Sequence, residues 1–301
     1  MRVMTLTLNP CVDRTLWVEE FGREPVRIDR MSGGKGVNAA RVLTALGEDC
    51  IAVAPVGGEG GKEFEKLACS EGIHLITVPI TGETRTIDTY ARLGDYEQRV
   101  VRETGPELNK DELEAIRETV LANLPSCAVL AVCGSASCAG GARLIRELIA
   151  AAKIMGVRTL LDSNGEALTE GTEAIPDVLK VNEQELAQLL GPSDDPMHAE
   201  ASKLTLEKGI GRVLLTLGER GCAQYLWEQS AFCPAPHVKC VNAVGSGDCF
   251  TGAWLHAQIR GFSDDGALLI ACAAGAANAA QFPAAMITRA DIEKIVGFHW
   301  N

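Results

Sequence analysis

The feature that most limits the fold is a series of short strands that are apolar on both faces, spaced by helical patterns. Val129–Leu130–Ala131–Val132, Leu160–Leu161, Val178–Val181 and Arg212–Leu217 lack the polar alternation of a half-exposed strand. Helical patterns run over 110–123, before the first of them, and over 141–155, between the first two. A strand buried on both faces needs a layer on each side, and parallel neighbours need crossover helices to join them. The pattern therefore predicts an α/β fold, with a mostly parallel sheet sandwiched by helices. Residues 2–8 read as a further strand, and 51–56 and 73–80 as two more around a helix containing Phe64 and Leu67. Several strands end in small or polar residues, among them Gly134–Ser135 and Asp162–Ser163–Asn164, at the sheet edge where ligands of such folds lie. A chain of 301 residues suits one large domain of this kind with a small appendage.

The appendage has its own signature. Arg85–Leu93 alternates strictly, and Glu97–Arg102 follows as a second short strand, so one face of the pair is polar. This predicts a small lid sheet, with strands from about 12–31 and 85–103. Exposed strand edges there could pair two subunits into a homodimer. The net charge is −12, which argues against nucleic acid and anionic membranes as partners. Against that background Arg85, Arg92, Arg99 and Arg102 form a local cationic group, either a phosphate clamp or a solvated lid face. The chain enters a strand directly after Met1 and has no apolar run of membrane-spanning length, which predicts a cytoplasmic protein.

Two glycine-rich turns run straight into helical patterns. The first, Ser32–Gly33–Gly34–Lys35–Gly36–Val37–Asn38–Ala39–Ala40, presents Lys35 and Asn38 to a polar ligand. Gly34, Gly36 and Ala39 also permit a dinucleotide reading, but residues 26–31 before them are too charged for the central strand that it needs. The second is Val244–Gly245–Ser246–Gly247–Asp248, ahead of Phe250, Ala253, Trp254 and Ala257. Backbone amides gathered at a helix start bind an anion. A carboxylate beside them suits a base that takes a proton from an attacking hydroxyl while the amides hold a phosphoryl group. An ordinary helix cap is the alternative for Asp248. Asp13 is expected on a loop, because Pro10 stops the first strand.

Elsewhere the residues leave two readings open. Lys180, Asn182 and Glu185 cluster at a strand exit, where Asn182 and Glu185 suit either a hydrated magnesium or a capping pair. Gly218 and Gly221 either admit a nucleotide to the backbone or serve a hairpin. Asn278 belongs to an adenine pocket or to a close-packed helix interface. The 11 cysteines show no C-x-x-C spacing and read as small packed side chains; Cys249, at a helix start, has a nucleophile as its second reading.

Taken together, the two glycine motifs resemble the paired signatures of the ribokinase-like phosphofructokinase-B family of sugar kinases. Leu8–Asn9–Pro10, Asp13–Arg14–Thr15, Thr84–Arg85 and residues 242–248 are similar to the 1-phosphofructokinase and tagatose-6-phosphate kinase branch. The resemblance spans essentially the whole chain and implies a ribokinase-like three-layer αβα sandwich forming one kinase domain, with ATP and Mg2+ as cofactors and a sugar phosphate as substrate. It implies Asp248 as catalytic base and the amides of Gly245, Ser246 and Gly247 as the anion hole. Asp13, Gly33, Gly34, Lys35, Asn38 and Ser135 would bind the sugar, and Arg85 with Arg99 or Arg102 its phosphate. Lys180, Asn182, Glu185, Thr216, Gly218, Gly221 and Asn278 would serve the nucleotide, with Glu185 reaching the metal through water.

Overall fold

The computed structural model describes residues 1–136, 138–191, 197–227 and 229–300. β1 (Val3–Leu6) leads through Asn9–Pro10 into β2 (Cys11–Val18), β3 (Arg27–Gly33) and α1 (Lys35–Ala45). β4 (Cys50–Val56), α2 (Gly58–Ser70) and β5 (His74–Pro79) follow, then β6 (Arg85–Arg92) and β7 (Gln98–Arg102). Helices and strands then alternate through α3 (Lys110–Asn123), β8 (Val129–Cys133), α4 (Ala139–Ile154), β9 (Arg158–Asp162) and α5 (Gly165–Glu173). Next come β10 (Val178–Asn182), α6 (Glu183–Leu190), α7 (Met197–Leu206) and β11 (Arg212–Thr216). A hairpin of β12 (Cys222–Leu226) and β13 (Gln229–Cys233) precedes α8 (Ser246–Ile259), α9 (Asp264–Ala279) and α10 (Arg289–Val296).

The main sheet has nine strands in the order β13-β12-β11-β10-β9-β8-β1-β4-β5, parallel except where β12 and β13 turn back. Its strands divide their side chains between two cores. Ala131, Leu160 and Leu214 pack with α1, α2, α8 and α9, while Leu130, Val132, Leu161, Val213 and Leu215 pack with α3, α4 and α5 on the other face. Each leucine or valine among them contributes about 1.5–3 kcal/mol by leaving water. The chain fills the sheet outward from β1 in both directions, so the order reverses between β1 and β8. That reversal opens a crevice at the strand C-termini, the place ligands occupy in open α/β sheets.

A second sheet runs β3-β2-β6-β7. Asp13 lies inside β2, not on the loop expected from Pro10. The proline does end β1, but the chain re-enters extended structure at once, pairing with β3 and β6. The charged segment 26–31 is largely the edge strand β3, whose exposed first half explains its composition. Among the described residues, no helix is long and apolar enough to cross a membrane.

Candidate active site

The glycine turn at Gly245 works because its backbone is left-handed, with φ of 83°, a conformation costly for other residues. Gly245 is the N-cap of α8, and no side chain caps that helix. Asp248 sits three residues in and is buried, accepting from Asn38 Nδ2 at 2.7 Å. The capping alternative for Asp248 is thereby excluded. Burial, with Asp162 close by, pushes its carboxyl up to about 6, against the opposing pull of Lys35 and the Asn38 amide.

Asn38 reaches Asp248 because α1 and α8 pack almost backbone to backbone. A Cβ on Gly252 would come within 2.8 Å of the Ala39 carbonyl oxygen. Arg41 fixes the amide from behind, donating from Nη1 to Asn38 Oδ1 at 2.7 Å and pairing with Glu71 at 2.7 Å. The motif reading did not include Arg41 or Glu71.

A second group lies at the strand ends. Asp162, at the end of β9, receives Lys35 Nζ at 3.0 Å, Lys180 Nζ at 3.2 Å and the Thr251 hydroxyl at 2.8 Å. Burial would raise the Asp162 carboxyl, but the two ammonium groups outweigh it and hold it below its ordinary value. Lys35 also pairs with Glu185 at 3.2 Å. Burial works against its charge, yet Asp162, Glu185 and Asp248 together hold the ammonium above its usual range. Asn182 and Glu185 form the reciprocal capping pair at the start of α6, so of their two readings the capping one is what the structure contains. Asp162 was expected at the ligand edge of the sheet but with no role assigned, and Thr251 was absent from the expected site.

Lys35, Lys180, Asn182, Thr216, Gly218 and Gly221 border one cavity with the turn 245–248, of about 870 Å³. Its far wall is formed by Ala235–Val238 and by Gly275, Ala276 and Ala279 of α9. Asn278 lies beneath this wall, fully buried, and braces the turn by donating to Val244 O at 2.8 Å and Ser246 Oγ at 3.0 Å. It belongs to the interface reading.

On the other side of the turn, Asp13, Thr15, Met31 and Thr89 of the small sheet face Asn242, Val244 and Ala284. Burial raises the Asp13 carboxyl to about 6, moderated by Arg41, Arg102 and Arg85. Gly33 fits closely beneath it, since a Cβ there would lie 3.0 Å from the Asp13 Cβ. Register places Asp13 opposite Ile87 and Ile87 opposite Arg102, so Arg102 shares the face of Asp13, as does Arg85 two residues before Ile87. Arg85 donates to Asn9 O at 3.1 Å, while its buried Nε and the nearby Asn9 Oδ1 have no partner among the described residues. Ser135 closes this end, accepting from Asn9 Nδ2 at 3.4 Å. Arg99 is a correction: it pairs with Tyr90, on the opposite face, and lies over the Phe21 ring at 4.0 Å. Asp88 is on that outer face too, in a bidentate pair with Arg14 at 2.6 and 2.7 Å.

Two other readings fall. Gly34 and Gly36 follow the small sheet's edge strand rather than a central parallel strand, which removes the structural context of a dinucleotide fold. Cys249 is buried, which pushes its thiol well above the ordinary range, so it is a packing residue.

A family model described as pfkB family carbohydrate kinase matches residues 4–286. A tagatose-6-phosphate kinase of Staphylococcus epidermidis is 30% identical over 286 residues, 92% of each chain. Phosphofructokinase-2 from Escherichia coli, solved in complex with fructose-6-phosphate, superposes with a TM-score of 0.87 at 27% identity over 98% of both chains. Ribokinase from Thermotoga maritima shares the fold, with a TM-score of 0.77 at 19% identity over 98% of this chain and 99% of that one.

Proposed function

This chain belongs to the pfkB family of carbohydrate kinases, and from that membership we propose that it transfers a phosphoryl group from ATP to a hydroxyl of a ketohexose phosphate. The observation that carries the reading is Asp248, buried beside an uncapped helix start and raised to about 6, between a lysine-lined cavity and the small sheet. ATP would occupy the large cavity, its terminal phosphate drawn to Lys35, Lys180 and the amides of residues 245–248. The sugar would lie under the small sheet between Asp13, Gly33–Gly34 and Asp248. There Asp248 takes the proton of the attacking hydroxyl as it reaches the phosphorus, while the sheet acts as a lid that excludes water. Arg85 and Arg102 would hold the phosphate already on the sugar; the unpartnered Arg85 Nε favours this over a free sugar.

Magnesium fits only as an ion carried on the nucleotide phosphates. Both oxygens of Asp162 and of Glu185 are already committed to protein donors, so any contact from Glu185 would pass through water. Bound there, the ion would neutralise charge on the transferring group. As a whole the chain reads as one kinase domain acting on small molecules in the cytoplasm, with the open edges of the small sheet available for a homodimer.

The test is ADP release measured across tagatose 6-phosphate, fructose 1-phosphate, fructose 6-phosphate and the free sugars. A phosphorylated ketohexose is expected to be the preferred acceptor, and Asp248→Ala to lower kcat by roughly a hundredfold or more. Near-normal turnover by Asp248→Ala, or a preference for free sugars, would overturn the assignment it concerns.

A further inference from the structure

The cysteines gave no metal-binding spacing, yet the fold gathers three of them. Cys222 on β12 and Cys233 on β13 are paired across the hairpin, and Cys272 of α9 packs over them. The three sulfurs all lie within 4.8 Å of one another, and all three residues are buried. We propose that Cys222, Cys233 and Cys272 form a three-thiolate site for a thiophilic d10 cation such as Zn2+ or Cu+.

The geometry is close to what such an ion needs. With metal–sulfur bonds of about 2.3 Å, three thiolates around one ion stand roughly 3.8–4.0 Å apart. The present spacing therefore requires the sulfurs to close by at most about 1 Å. Soft sulfur ligands without a histidine or carboxylate among them select zinc or cuprous ions over magnesium or calcium. An entry path exists, because Cys222 and Cys272 also border the large cavity. The Pro234 carbonyl lies 3.7 Å from the Cys233 sulfur and 3.8 Å from that of Cys272, so the rim carries one oxygen besides the thiols. Among the described residues no other group of three or more metal-ligating side chains converges in this way.

Cadmium serves as the spectroscopic probe. Reduced, metal-stripped full-length protein titrated with Cd2+ should develop a thiolate-to-metal charge-transfer band that saturates at one ion per chain. Exposed Cys69 and Cys240 are the controls: Cys69→Ser with Cys240→Ser should leave the titration unchanged. Cys233→Ser and Cys272→Ser should each weaken it by at least about tenfold. Because a buried serine can harm folding, a second measurement uses the unmodified chain. Stoichiometric Zn2+ should shield Cys222, Cys233 and Cys272 from alkylation, with peptide mapping locating the protected thiols. No charge-transfer band, a titration indifferent to the Cys233 and Cys272 substitutions, or protection confined to other cysteines would overturn the proposal. None of these readouts depends on phosphoryl transfer, so their failure would leave the kinase reading untouched.

Discussion

Asp248 and Asp13 are carboxyls held above their ordinary range, and this has consequences for both activity and stability. If Asp248 is the base, kcat/KM should climb with pH through about 6 as the carboxylate forms. Stability should move the other way. Between the ordinary carboxyl value of 3.8 and about 6 the folded state holds protons that the unfolded chain has released, so folding loses stability as pH rises through that window. Asp248→Asn should therefore lower turnover by roughly a hundredfold or more while raising stability at neutral pH by about 1–3 kcal/mol, measured by urea denaturation. Asn38→Ala removes the donor that favours the charged form. Its activity profile should shift to higher pH, whereas a profile that stays in place would deny Asn38 this role. Arg41, held by Glu71, keeps that amide turned toward Asp248, and no motif disclosed it: one buried arginine on a helix face reads in sequence like any solvated one.

At the scale of elements, the close contact of α1 with α8 and the pleat of the small sheet decide which residues meet. Gly252→Val should force the two helices apart, lowering stability by about 1–3 kcal/mol and cutting turnover as Asn38 leaves Asp248. If melting and kinetics of that variant matched the parent, the contact would not be what sets the site. In the small sheet the two candidate arginines separate by face. Arg102→Ala should raise KM for a phosphorylated acceptor by about tenfold or more, and Arg99→Ala should leave it unchanged. Strand alternation already implied that 99 and 102 face opposite ways. What the sequence left open was which face met the body, because both faces of β6 and β7 carry arginines. The helices α5 and α7 went unread for a related reason: α5 starts at a glycine after Asn164 in a stretch resembling a turn, and α7 has no strong apolar stripe.

For the molecule as a whole, the doubly apolar strands were enough to give the parallel sheet, since few other arrangements can bury both faces of so many short segments. The candidate site was legible where a local motif carried it, at 33–38 and 244–248. It was illegible where it depended on distant partners, as with Asp162 joining Lys35, Lys180 and Thr251. A ligand that binds only the folded chain stabilises it in proportion to the logarithm of its concentration. Nucleotide and sugar phosphate should thus each raise the melting temperature, at saturation by the equivalent of about 3 kcal/mol or more. Nucleotide stabilisation without any response to sugar phosphates would argue for another acceptor. The order of parts along the chain has a final consequence. Along the chain Asp13, Lys35 and Arg85 all precede the turn at Gly245, the last of them by 160 residues. If Asp248 is the base, a polypeptide that stops short of that turn carries the residues proposed for the acceptor but nothing with which to spend a nucleotide.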